Sequence, residues 1–175
     1  MSALLDADRM RSLLQELSDE LAARHQTAHL YVVGGAAMVL AYDSERATED
    51  IDSVFQPVAP VRDATSAVAS RHSLSPDWVN DGAKGFMPHI SDDPVTVFET
   101  ESLLVTVASA QYLLAMKLFS ARPERDLDDA VLLWRVVGFK EVSQGMDLLE
   151  KCYPPYLLLP KHRHVIETVA EEAAP

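Results

Sequence analysis

Residues 29–55 read HLYVVGGAAMVLAYDSERATEDIDSVF, and the way this stretch changes character decides the fold. Its first five residues are apolar, β-branched or aromatic and stop at Gly34-Gly35, the pattern of a buried strand meeting a tight turn. Residues 36–41 (AAMVLA) have the composition of a helix start. Residues 48–55 (TEDIDSVF) return to extended character and end before Pro57. Asp50 and Asp52 are two apart, and a strand sends alternate side chains to the same face. Both carboxylates therefore emerge together while Ile51 faces the core. Two convergent carboxylates suit hard divalent ions, because Mg²⁺ takes carboxylates together with substrate phosphates. In sites with two ions, these stabilise the attacking and leaving oxygens of an in-line displacement. The Gly-Gly turn supplies the complementary half. Glycine lets the backbone approach a phosphate closely, and a following helix offers unpaired N–H groups. Arg46 adds a fixed positive charge for the same phosphates. Taken singly, the Gly-Gly pair reads as a plain turn and the two aspartates as a solvated strand edge; it is their combination that points to phosphate chemistry.

The flanking sequence predicts an α+β fold. Met10, Leu13, Leu14, Leu17 and Leu21 recur at helical spacing. Residues 60–72 are Ala-rich and helical, and residues 95–107 hold two β-rich runs around a turn at 99–102. Helices are expected over 110–120, 128–137 and 140–152, with a last one after Pro160. The expected organisation is a nucleotide-handling α/β core over 1–108, a small mixed sheet flanked by helices, and a helical C-terminal portion over 109–175, packed as one compact unit.

Composition narrows the function classes. The chain has 175 residues, 48% hydrophobic and 24% charged, with 15 Lys+Arg against 27 Asp+Glu and a formal net charge of −12. That composition excludes disorder and a collagen-like repeat. One cysteine, Cys152, precludes an internal disulfide and points to a reducing cytoplasm, as a buried thiol with no base beside it. No apolar run reaches the roughly 20 residues of a membrane helix, and the N-terminus lacks the basic start of a secretory signal. The acidic balance disfavours a broad nucleic-acid-binding surface, since phosphate contacts need clustered Lys and Arg.

The segment VVGGAAMVLAYDSERATEDIDSVF resembles the signature of polymerase-β-like nucleotidyltransferases, in which a G-G or G-S turn precedes a D-x-D strand. Within that superfamily it is most similar to the AbiEii/MenT-like toxin nucleotidyltransferases and their short relatives. Those share an R-x-[ST]-x-D-[ILV]-D segment, here Arg46, Thr48, Asp50 and Asp52. They also share a helix bearing Lys followed by an Arg-Asp pair, here AMKLFSARPERDLDDAVLL. Residues 78–88 (WVNDGAKGFMP) are similar to a stretch of the short relatives, so the likeness covers about residues 30–137.

The resemblance implies a nucleotidyltransferase fold and transfer of NMP from an NTP such as ATP to an acceptor hydroxyl, with Mg²⁺ (one ion or two) on Asp50 and Asp52. It implies that Gly34, Gly35, Arg46 and Thr48 bind nucleotide, that Lys117 contacts its phosphates, and that Asp126 orients the lysine or assists deprotonation. Asp126 also has the alternative reading of a helix N-cap. The implied acceptors are a tRNA 3′ end or a protein hydroxyl, with a cognate antitoxin as partner. The other functions in view are a small-molecule (antibiotic) nucleotidyltransferase and a nucleotide- or partner-binding module without turnover.

Several residues stay open at this level. The superfamily usually supplies a third carboxylate, for which Glu99, Asp77 and Asp81 compete. Asn80 and Lys84 are expected either to touch base or phosphate or to sit in a polar loop. Arg122 and Arg125 join Lys117 in the densest basic cluster near the proposed site. Asp128 and Asp129 read as first-turn partners of a helix dipole, and Trp134 as core. His89 and the run Lys161-His162-Arg163-His164 lack metal-ligand spacing and read as solvated surface, the run with RNA as a conceivable contact.

Overall fold

A computed structural model describes residues 4–42 and 45–175, apart from the side chains of Pro123 and Arg125. The chain divides into two compact units, one made of Met1–Gly85 with Pro94–Ala108 and one of Phe86–Asp93 with Ser109–Pro175. The first is α+β and the second helical.

In the α+β unit, helix α1 (Ala7–Ala23) opens at Asp6, whose side chain accepts from the Arg9 N–H at 2.8 Å. Its Met10, Leu13, Leu14, Leu17 and Leu21 are all fully buried, the five positions that the spacing singles out. Strand β1 (Ala28–Val32) leads into a short α-turn, α2 (Gly34–Ala37), which continues as a π-helix over Met38–Tyr42. Strand β2 (Ile51–Gln56), helix α3 (Val58–His72), the two-residue strand β3 (Val79–Asn80) and a 3₁₀ turn (Gly82–Phe86) follow. The hairpin of β4 (Val95–Glu99) and β5 (Leu103–Val107) closes the unit. Its turn is fixed by Thr100, whose hydroxyl accepts from the Leu103 N–H at 2.9 Å.

The sheet order is β3-β2-β1-β5-β4. β1 runs antiparallel to β2 and parallel to β5; β2 pairs in parallel with β3, and β4 is antiparallel to β5. Leu30 and Val32 of β1, Val105 and Val107 of β5 and Ile51 and Phe55 of β2 are buried together, and α1 and α3 pack against each other and the sheet. Burial of this apolar face is the main driving force for the unit. The extended segment expected from Thr48 is a strand only from Ile51; Thr48 makes a lone bridge with Leu5 (N···O 2.7 and 3.0 Å).

In the helical unit, α4 (Ala110–Ser120), α5 (Pro123–Val137), α6 (Val142–Cys152) and α7 (Pro160–Ala173) pack on one another. Trp134 lies at the centre, edge-on to Phe139 with ring centroids 5.3 Å apart. Gly145 is a close-approach position: a Cβ there would lie 2.7 Å from the Trp134 ring and 2.8 Å from Ile166. Cys152 is buried, and burial pushes its thiol up to about 11. His162 departs from the solvated-tail reading. It is buried at the start of α7, where Nδ1 accepts from the Leu159 N–H at 2.8 Å and Nε2 faces the Phe119 carbonyl at 3.0 Å. Its ring stacks on Phe119, which stacks in turn on Tyr153.

Candidate functional site

Two constellations carry the residues singled out above, one in each unit. The first is the corner where β1 ends and β2 begins. Val33, the last residue before the turn, donates its N–H to the Asp52 carbonyl at 2.9 Å, which ties the turn to the aspartate strand. Gly34 has φ +67°, a backbone conformation that favours glycine. A Cβ on Gly34 would lie 3.0 Å from Asp52 Oδ2, and one on Gly35 would lie 3.0 Å from Thr48 Oγ1. A Cβ at either position would press on these polar side chains, and the left-handed backbone favours glycine at Gly34 besides.

Asp50 and Asp52 are both half-buried and flank the fully buried Ile51, as strand alternation predicts. Asp50 Oδ2 accepts from Asn80 Nδ2 at 2.9 Å. Asn80 is set there by β3, which pairs it with Asp52, and by the preceding Trp78, whose buried indole donates to the Thr65 carbonyl at 3.0 Å. The same amide donates to the Asp77 carbonyl at 3.4 Å and accepts from the Gly82 N–H at 2.9 Å. The amide is thus committed within the chain; Asn80 holds Asp50 rather than waiting for a base. The two-residue strand β3 that aims it is too short to leave a sequence pattern. Arg46 lies half-buried before the Thr48 bridge.

Lys84 forms an exposed ion pair with Asp81 (2.6 Å), whose carboxyl the Lys84 ammonium, together with the more distant Arg62, holds below its ordinary value. No contact joins Lys84 to the two aspartates among the described residues. Of the candidates for a third carboxylate, Asp81 is paired with Lys84, and Asp77 is exposed. Glu99 lies on the far edge strand in register with Leu104, His29 and Gln56. That row is four residues from Asp52, about 13 Å along the strand. On β5, beside Tyr31 and Val32, stand Thr106 and Val107, neither a carboxylate. Among the described residues no group of three or more His, Cys, Asp and Glu gathers for a metal ion. The donor set at the corner is two hard carboxylates. Such a set is too sparse for an all-protein Mg²⁺ cage and suited to an ion shared with substrate phosphates. The helix dipole expected behind the glycines is weaker than the sequence suggests, since α2 is one turn before the π-helix.

The second constellation lies in the helical unit. α4 ends with Ala121 in the left-handed region (φ 49°), and Pro123 starts α5 at its first position. This tight reversal brings Lys117 against the beginning of α5. Lys117 Nζ lies 2.7 Å from Asp126 Oδ1 and 2.8 Å from Asp129 Oδ2, with both carboxylates buried. Asp126 Oδ2 also accepts from the Ser120 hydroxyl at 3.0 Å and Arg122 Nε at 3.2 Å. Burial alone would raise the Asp126 carboxyl. The Lys117 ammonium, with Arg122 and Ser120, outweighs it and holds the group below its ordinary value.

Asp126 is therefore not an N-cap; Arg122 occupies that position. Asp129 is not a dipole partner but the second ligand of Lys117, whereas Asp128 is exposed. The missed signal is the i, i+3 spacing of Asp126 and Asp129, which sets both on one helix face. Of the other basic residues, Arg122 joins this cluster, and the Arg125 side chain lies outside the described residues.

A family profile described as a nucleotidyltransferase of unknown function (DUF6036) matches residues 8–153. The chain belongs to this family. The matched span runs from α1 to the end of α6 and takes in both constellations; only the 3₁₀ turn at Pro155–Leu157 and α7 lie wholly beyond it. No curated protein and no solved structure matches the chain.

Proposed function

We propose that the protein is a Mg²⁺-dependent nucleotidyltransferase that moves NMP from an NTP to an acceptor hydroxyl. The observation that carries this reading is the corner itself, with the Asp52 carboxylate laid against Gly34 and Asp50 steadied by Asn80. Asp50 and Asp52 would hold Mg²⁺, which when bound with the triphosphate neutralises its charge. The acceptor oxygen attacks the α-phosphorus, the bond to the β-phosphate bridging oxygen breaks, pyrophosphate leaves, and the acceptor proton passes to solvent. Gly34, Gly35, Thr48 and Arg46 line the phosphate side, and Lys84 is a cation that can exchange Asp81 for phosphate. Catalysis of this kind rests on positioning and charge stabilisation.

The likeness to the toxin enzymes adds Lys117 as a phosphate contact and Asp126 as its partner. The 2.7 Å ion pair supports an orienting role for Asp126. A carboxyl held below its ordinary value is a weak base, so the geometry speaks against deprotonation by Asp126. Among acceptors, the same likeness favours a tRNA end or a protein hydroxyl, and a cognate antitoxin. The net charge of −12 favours acceptors that need no broad basic face. No helix among the described residues is long and apolar enough to cross a membrane.

A second reading, a nucleotide-binding module without turnover, draws on one observation: two carboxylates already neutralise Lys117 within the chain. The deciding experiment incubates the protein with Mg²⁺ and each α-labelled NTP in the presence of total tRNA, cell lysate or small hydroxyl compounds such as aminoglycosides. Label moving to one acceptor class supports transfer and names the class. Nucleotide binding with no labelled acceptor favours the second reading.

A further inference from the structure

We propose that the sheet face bearing Asp52 carries a nucleobase subsite at its far end, where His29 and Gln56 hold the base of one of the two reactants. The inference rests on the nucleotidyltransferase reading and adds to it the residues that tell a nucleotide from a bare sugar phosphate.

Strand alternation puts the row on one face. On β2, Ile51, Ser53 and Phe55 are buried, so Asp52, Val54 and Gln56 share the opposite face. His29 and Tyr31 of β1 stand directly across from Gln56 and Val54, and Leu104 and Thr106 of β5 stand beside them. The face thus runs from Asp52, past Tyr31 and Val54, to His29 and Gln56. Four residues of strand make that about 13 Å. A nucleoside extended away from the reacting phosphorus or hydroxyl reaches about as far.

At this far end a cavity of about 740 Å³ opens, lined by Thr27, His29, Gln56, Pro57, Val58 and Leu104, with Ala28 behind them. It lies wholly within the α+β unit. Among the described residues no Lys, Arg, Asp or Glu lines it, so it suits a neutral ring rather than a phosphate. Pro57, Val58 and Leu104 offer apolar contact, and Val58 is an exposed aliphatic at the rim. His29 Nε2 lies 2.8 Å from the hydroxyl of the buried Thr106. That bond fixes the imidazole, a surface on which a base can stack. The Gln56 side chain is exposed, and its amide bonds to no group among the described residues. An amide offers an acceptor beside donors, the complement of a base edge. Asn80 has the same chemistry but is already committed to Asp50 and Gly82.

The test titrates the full chain calorimetrically, as wild type, Gln56→Glu and His29→Ala, with Mg²⁺ and two series of probes. One series sets each non-hydrolysable NTP against ribose 5-triphosphate, which lacks the base. The other sets single-stranded RNA trinucleotides with a 3′ hydroxyl against their abasic forms. Where the base is the NTP's, wild type is expected to prefer an NTP over ribose triphosphate about tenfold, the scale of one base contact. Either substitution should then close that gap while leaving ribose triphosphate affinity unchanged, whereas damage to the fold would weaken both ligands. Where the base is the acceptor's, the same loss appears in the trinucleotide series only. Both side chains are exposed, and each variant is read separately. A preference for the base that survives both substitutions in both series, or no preference in wild type, overturns the subsite while leaving nucleotidyl transfer intact. Wild type that binds no NTP with Mg²⁺ overturns the subsite together with the reading beneath it.

Discussion

The two constellations are built on opposite principles. At the glycine corner, function is written in the backbone: a left-handed Gly34, a glycine pressed against Thr48, and two half-buried carboxylates on either side of a buried isoleucine. In the helical unit it is written in side-chain charge: one lysine and two buried carboxylates that complete each other inside the chain. A corner half-exposed to solvent has room for a ligand. A buried ion-paired cluster brings direction and stability. Substitutions should therefore separate, with corner variants losing chemistry and cluster variants losing fold.

The largest effect is expected at the corner. Replacing Asp50 and Asp52 together by alanine should lower transfer at least 10³-fold, since metal-borne charge stabilisation is worth several kcal/mol, with little change in melting temperature. Retention of activity would break the metal assignment. Next comes Lys117→Met, which removes the ammonium shared by two buried carboxylates and should destabilise the chain by about 3–5 kcal/mol, measured by denaturant unfolding. A loss under about 1 kcal/mol, typical of exposed pairs, would show that the cluster is not the closed ionic core described above.

Gly34→Ala should mix the two behaviours. The left-handed backbone costs about 1–3 kcal/mol in strain, and the added methyl displaces Asp52, so melting temperature and transfer should fall together. Asn80→Ala should be milder, removing one hydrogen bond to Asp50 and slowing transfer about tenfold without unfolding.

The smallest effect sharpens the comparison through pH. Burial lowers the His162 pKa, although its hydrogen bonds to backbone raise it, and the Asp126 carboxyl is also held below its ordinary value. For both, the folded chain binds its proton less readily than the unfolded one, so their stabilisation is complete above the unfolded pKa and lost on acidification. Melting temperature should begin to fall below about pH 6.5, where unfolded histidine titrates, and again below about pH 3.9, where unfolded aspartate does. His162→Gln should remove the first step and keep the second.

Much of this was legible in residues whose neighbours repeat a period. The α1 core positions, the β4–β5 hairpin and the alternation around Ile51 all follow from spacing, because burial selects one face of each element. What escaped was set by tertiary contact. β3 is two residues long and exists because Trp78 docks on α3 and the Trp78 carbonyl accepts from the Ile51 N–H. His162 was masked by its exposed neighbours, although His162, Val165, Ile166 and Val169 trace one buried helical stripe. Glu99 stands on the distant edge strand because register places it there, and no local pattern encodes register across a hairpin.

The central claim is that Asp50 and Asp52 share a divalent ion with a nucleoside triphosphate at the Gly34-Gly35 turn. Calorimetric titration of each NTP, with and without Mg²⁺, into wild type and Asp50→Asn/Asp52→Asn tests it most directly. The account predicts binding by wild type that requires Mg²⁺ and is lost in the variant. Nucleotide binding of equal strength in both proteins, with the same dependence on Mg²⁺, would contradict it.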